Sequence, residues 1–254
     1  MLSALDKAIQ AKDPIVVTLW HPHWAYSRYD LKDLEDPKGA MGETEKLHIA
    51  ARKGFTDDFP SISKALSNFT IDDKHLQSLE DTIEEADGDA AKAVADWRKK
   101  NKDFVQEKFG SIKEGSGKLT IPYISWAEDV ALSNLLQQVL EDKGYSVKLK
   151  QLQAGVIFSS LAKGETDVFL DYWLPTTHKD YKEQYGDKIE DLGVWYDSAT
   201  LELTVPSYVE DVNSIADLKK HADKFDNEIV GIDSGAGIMD QVSNSAIPKY
   251  NLGG

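Results

Sequence analysis

Short runs of β-branched and apolar residues alternate along this chain with longer stretches whose apolar positions recur every three or four residues. The first kind has strand length and the second reads as amphipathic helix. DPIVVTLWHPHWAY (13–26) and TDVFLDYWLPTTHKDY (166–181) each run a strand into a tryptophan, with proline within two residues. KLTIPYISWAEDVALSNLLQQVLEDKGY (118–145) and NEIVGIDSGAGIMDQVSNSAIPKY (227–250) each read strand, short turn, helix and polar stop. LHIAARKGFTDDFPSISKALSNF (47–69) and LELTVPSYVEDVNSIADLKKHADKF (201–225) each give an alternating strand, then a helix start containing serine. These matched pairs predict an α/β fold with two similar lobes. Strand–helix alternation further predicts that each lobe is a mostly parallel sheet flanked by helices.

Residues 72–109 are helical in period throughout. DDKHLQSLEDTIEEA and DAAKAVADWRKKNKDFVQEKF predict two helices split by DGD (87–89), and GSIKEGSGK (110–118) follows as a connector. This block is expected to serve packing and solvent cover. The expected division is 119–205 for one lobe and 206–254 with 1–45 for the other. Residues 46–118 then supply a hinge-crossing strand, the helical return and the connector. Ligands of such sheets sit beyond the carboxyl ends of strands. The turns after Trp20 and Trp173, and those at 125–127 and 233–238, lie there, so four strand ends are expected to meet in one cleft between the lobes.

Composition narrows the partners. Lys and Arg total 29 against 44 Asp and Glu, a net charge of −15. Such a surface repels nucleic-acid phosphates and anionic lipid headgroups, so neither is an expected partner. The chain has no cysteine, which excludes disulfides, thiolate metal sites and a cysteine nucleophile. MLSALDKAIQ reads as an amphipathic helix start with no hydrophobic export region, so any targeting segment of the parent protein is expected to be absent here.

Trp20, Trp126 and Trp173 each close a strand and meet a turn. Any one of them could plug a sheet end, but together their indole faces can box a cation too alkylated to donate hydrogen bonds, such as a quaternary ammonium. GIDSGAGIMDQV (231–242) supplies small residues and a helix start near Gly237, suited to an anion such as a carboxylate. His178 stands where it could donate to the same carboxylate. Asp129, Asp171 and Asp233 lie near the expected cleft and are read as turn and helix caps. Trp24, Trp97 and Trp195 are read as packing residues. Two rivals stay open on the residues alone: a metal-dependent hydrolase using His21 and His23, and a carbohydrate-binding module using exposed tryptophans. Neither a hydrolase elbow nor a recognisable metal spacing is present, and no cofactor is expected.

ISWAEDVA, DYWLPTTH, VNSIADLK, GIDSGAGIM and TLWHPHW together resemble the glycine-betaine-binding proteins of osmoprotectant ABC importers, over nearly the whole chain. The resemblance implies the two-lobed periplasmic-binding-protein fold of the second type and no enzymatic activity. It implies that Trp20, Trp126 and Trp173 are the cage walls around the trimethylammonium of glycine betaine or proline betaine. It also implies that the amides of Gly237 and Ile238, with His178, hold the carboxylate. The partner would be an importer permease, and the parent protein would work outside the cytoplasm, in the periplasm or anchored at the cell surface.

Two departures from the family pattern stand out. TGWTPHW is usual where this chain has TLWHPHW, so Leu19 and His21 are expected to enlarge side chains beside the cage. In addition, GIDSGAGIM ordinarily leads into TLWHPHW within one half, whereas here the first closes the chain and the second opens it. The chain thus resembles a circular permutant, with residues near 228–254 and 1–45 folding together. A monomer is expected, with exchange of these segments between two chains as the alternative.

Overall fold

The computed structural model describes residues 1–86 and 89–253. Its contacts divide the chain into two compact units, Met1–Thr44 with Ser198–Gly254 and Glu45–Asp197. The strands are β1 (Val17–His21), β2 (Leu31–Asp33), β3 (Glu45–Arg52), β4 (Lys118–Tyr123), β5 (Ser146–Gln151), β6 (Val168–Leu174) and β7 (Ile189–Pro206).

In the unit Glu45–Asp197, β3 lies between β6 and the first half of β7. The β3–β6 pairing is antiparallel, from Lys46↔Leu174 to Ala51↔Val168, with an irregularity between His48 and Ala50. All residues of β6 are buried, in keeping with a sequence that is apolar but for Asp171. β4 and β5 form a parallel pair joined by the helix Ala127–Asp142. That helix stops before Gly144, whose φ of 91° is the left-handed conformation glycine tolerates best. The core here gathers Ile157, Phe158, Leu161, Phe169 and Tyr172, and each fully buried large side chain stabilises the fold by about 1.5–3 kcal/mol.

The helical block lies in this unit. Helices span Asp73–Glu85, Ala90–Lys100 and Lys102–Phe109, the first capped by Asp72 accepting from the His75 amide at 2.9 Å. The expected second helix is therefore broken at Asn101, whose side chain bonds back to the Trp97 carbonyl at 2.9 Å. The expected split at DGD falls largely on residues 87–88, outside the described residues.

In the other unit β1 and β2 both pair antiparallel with the second half of β7, with Trp20 opposite Leu201 and Leu31 opposite Pro206. The strand expected to open 227–250 is reduced to one parallel bridge, Val17↔Val230, closed by Val230 N–H to Val16 O at 2.9 Å and Thr18 N–H to Val230 O at 3.0 Å. Gly231 sits so close to Met239 that an added Cβ would lie 2.3 Å from its sulfur. Residues 237–250 are helical with a π turn at Val242–Ala246. Ser214 and Asp217 form a capping box at the short helix Ile215–Leu218.

The α/β class is as expected, but the strand directions are not. Alternation dictates parallel pairing only where one crossover helix joins neighbours, as between β4 and β5. β3 and β6 are separated by several elements, and β1 pairs with a strand far along the chain, so alternation does not determine their direction. Both pairs run antiparallel. Among the described residues no helix is long and apolar enough to cross a membrane.

Candidate ligand-binding site

The sequence-predicted residues fall into two groups, each within one unit. In Glu45–Asp197 these are Trp126, Trp173 and His178. Trp126 precedes the helix Ala127–Asp142 as its N-cap residue and is half-buried. Trp173 is the penultimate residue of β6 and is buried, so it stands in the strand rather than in the turn beyond it. His178 is the N-cap residue of the helix Lys179–Tyr185, not one turn into it.

The segment between Trp173 and His178 is closed on itself. The Trp173 amide donates to His178 Nδ1 at 2.9 Å, and the His178 amide donates to the Trp173 carbonyl at 3.1 Å. Glu45, the first residue of β3, clamps the same turn: its Oε2 accepts from the amides of Thr176 (2.9 Å) and Thr177 (2.8 Å), and its Oε1 from the Thr177 hydroxyl at 2.6 Å. Burial pushes the Glu45 carboxyl up, against the pull of these hydrogen bonds.

Because Nδ1 of His178 accepts, the proton of the neutral ring resides on Nε2. The ring is fully buried, and burial lowers its pKa to about 3, so it stays neutral at physiological pH. It stacks on Trp126, with centroids 5.9 Å apart and planes within 10°, and meets the Phe158 ring edge-on at 5.1 Å. Its Nε2 has no hydrogen-bond partner among the described residues. A buried, neutral N–H donor held by backbone and packing therefore stands beside an indole face.

Behind the tryptophans lie buried carboxyls. Asp129 accepts from the Ile124 amide at 2.7 Å and the Ser133 hydroxyl at 3.0 Å, the capping role expected of it. Asp171 departs from that expectation: its Oδ1 accepts from Trp173 Nε1 at 2.7 Å, and it caps no backbone. Burial, then repulsion from Glu128 and Asp129, pushes Asp171 well up, and burial does the same to Asp129.

In the unit built from both chain ends, Trp20 is the penultimate residue of β1 and is buried, its ring meeting His23 edge-on at 4.9 Å. Gly237 opens a helix after the extended Ala236, and Ile238 is buried. Leu19 and His21 flank Trp20 in the strand, so pleating turns them to the opposite face. Neither side chain therefore shares the face of the Trp20 indole. His21 instead stacks on Tyr26 at 3.8 Å and meets Asp33 at 2.8 Å through Nε2. Burial opposes the Asp33 charge, but bonds from His21, Tyr26 and Thr204 hold its carboxyl below the ordinary value. His23 Nδ1 accepts from the Ala25 amide at 3.0 Å. The two histidines thus have separate partners, and among the described residues no group of three or more His, Cys, Asp or Glu could hold a metal.

The packing tryptophans are buried as expected, with indole N–H groups of Trp97 on the Ser78 hydroxyl (3.1 Å) and of Trp195 on the Leu170 carbonyl (2.6 Å). The sequence reading missed Glu45. Its signal was a carboxylate opening an apolar strand, but only the fold brings it to residues 176–177.

The family model described as the substrate binding domain of ABC-type glycine betaine transport system matches residues 1–100 and 117–254. The chain is 36% identical over 221 residues to the glycine betaine/carnitine transport binding protein GbuC of Listeria monocytogenes, covering 86% of this chain and 73% of that protein. Among solved structures it is similar to a lactococcal OpuAC protein crystallised closed around glycine betaine, at 33% identity and a TM-score of 0.28, over 29% of each chain. It is also similar to the glycine/betaine/L-proline-binding protein ProX of Borrelia burgdorferi, at 33% identity and a TM-score of 0.45, over 53% of this chain and 50% of that one. With its family model matched over nearly its whole length, this chain belongs to the substrate-binding domains of ABC-type glycine betaine transport systems.

Proposed function

We propose that the chain captures a betaine outside the cytoplasm and presents it to an importer permease. A member of this family binds a substrate for transport and does not transform it. The observation that carries the site assignment is His178. An N–H donor buried without an acceptor costs about 1–3 kcal/mol, and the carboxylate of a betaine is the acceptor that would relieve it. A charged acceptor strengthens such a bond roughly twofold over a neutral one.

The cationic end needs no hydrogen bond, only π faces and exclusion of water. Trp20, Trp126 and Trp173 are the proposed walls, each contributing about 0.5–2 kcal/mol. The amides of Gly237 and Ile238 join His178 on the carboxylate, as the first N–H groups of a helix lack partners within it. The affinity is expected to be on the order of micromolar. The name of the Listeria relative supports carnitine as a second ligand beside glycine betaine, and proline betaine shares the same alkylated head. The working form is proposed to be a monomer.

Calorimetric titration of the wild type and His178→Ala tests this reading. Glycine betaine should bind His178→Ala at least about tenfold more weakly, by loss of a charge-assisted bond. Choline, with the same head and no carboxylate, should lose much less. Equal losses for both ligands would remove His178 as the carboxylate donor.

A further inference from the structure

We propose that Asp171 is a positioning residue that fixes the Trp173 indole and gives its π face the charge preference of a cation site. The inference rests on the betaine reading above and deepens it, by assigning where selectivity for a positive head arises. Asp171 and Trp173 are two apart in β6 and so lie on one face of the strand. The indole Nε1 donates to Asp171 Oδ1 at 2.7 Å, while Oδ2 has no hydrogen-bond partner among the described residues. Asp171 is 0% exposed.

A carboxyl is a costly way to satisfy an indole. Two of the packing indoles use neutral acceptors, the Ser78 hydroxyl for Trp97 and the Leu170 carbonyl for Trp195. Either kind meets the hydrogen-bonding requirement without burying an ionisable group. What a carboxylate adds is charge. A carboxylate at the N–H edge polarises the ring toward its face, and hydrogen bonds in a low-dielectric interior polarise their members most. The negative face is what a cation contacts. The ionisable neighbours of Asp171 are themselves acids, Glu128, Asp129 and Glu80, and with burial they disfavour its charged form in the absence of a cation. An acid among acids, away from water, is favoured in its charged form by a cation brought close to it. A quaternary ammonium against Trp173 is such a cation.

The test compares glycine betaine with 3,3-dimethylbutanoate, in which a carbon replaces the nitrogen and shape and carboxylate are kept. Asp171→Asn retains an acceptor for the indole but removes the charge. The ratio of affinities, betaine over its uncharged-head analogue, is expected to fall about tenfold, as one charge a few ångströms from another in a partly screened site implies. In the Trp173→Phe background, which lacks the donor, the same Asn substitution should change the ratio less. Equal weakening of both ligands by Asp171→Asn would mean that Asp171 is only structural, and would overturn the proposal. A wild type that binds neither ligand would instead defeat the betaine reading on which it rests. The unaltered chain gives a second measurement that no folding defect can obscure. The Trp173 indole proton, assigned by its loss in Trp173→Phe, should move downfield on addition of glycine betaine but not of 3,3-dimethylbutanoate, and equal shifts with both ligands also overturn the proposal.

Discussion

Removing the Glu45 side chain should loosen the turn that carries His178 before it disturbs anything else. In Glu45→Ala the amides of Thr176 and Thr177 lose their acceptor, while the Thr177 hydroxyl can turn elsewhere. Each buried amide left unpaired costs about 1–3 kcal/mol. Against that, the buried carboxylate no longer has to be desolvated, which returns part of the loss. The net expectation is destabilisation of about 2 kcal/mol. Glu45→Gln keeps one oxygen for both amides and turns an NH2 toward the Thr177 hydroxyl, so it should cost less than about 1 kcal/mol. The sign with pH differs too. Burial raises the Glu45 pKa, so the folded state binds the proton more tightly and the wild type loses stability, relative to Gln, as pH rises through that raised value. Urea unfolding with unchanged slope reads the stability, and calorimetry reads betaine affinity, expected to fall about tenfold in Ala as His178 loses its fixed position. An alanine variant within about 0.5 kcal/mol of wild type and unaltered in affinity would refute the clamp.

His178 and His23 both have pKa values lowered to about 3 by burial, against 6.5 in the unfolded chain. The folded state binds fewer protons, so their contribution is fully present above the unfolded value and is lost as pH falls through the window below it. Between pH 6.5 and 5 each costs about 2 kcal/mol. Buried acids run the other way, so the quantity to measure is the wild-type minus His178→Asn difference in urea unfolding, which should shift against the wild type by about 2 kcal/mol over that window; a constant difference would mean the ring is not buried neutral. Ser214→Ala removes the cap whose partner Asp217 accepts from the amides of Asn213 and Ser214 at 3.0 Å. It should destabilise by about 1 kcal/mol without changing betaine affinity, measured by the same pair of assays.

What the sequence made legible was whatever depends on neighbours in the chain. Strand length and flanking turn residues marked β1, β4 and β6, and the apolar period marked the helix Ala127–Asp142. Trp20 and Trp173 were singled out because each ends an apolar run before a proline. Direction of pairing was not legible, because β3 and β7 meet partners far away in sequence. Nor was the break at Asn101, where the Trp97 carbonyl accepts from both the backbone amide and the side-chain amide of Asn101 as the helix ends. Glu45 and Asp171 look like ordinary strand residues until the fold brings one against residues 176–177 and shows which atom the other accepts from.

The two units use one local device to different ends. In each, a tryptophan is the penultimate residue of a strand, a proline follows within two residues, and a histidine one to three residues on has its Nδ1 accepting a backbone amide: Ala25 for His23, Trp173 for His178. The amide fixes the tautomer, and burial keeps both rings neutral. The rings then diverge in surroundings. His23 presents an edge contact to Trp20 and shares its environment with His21. His178 is enclosed by aromatic rings from β6 and two helices, and its Nε2–H is buried without a partner among the described residues. A device that serves only packing has no need of an unmet donor. Under the betaine reading proposed above, a ligand carboxylate would be its acceptor, and Trp126, stacked on the same ring, would lie beside that carboxylate.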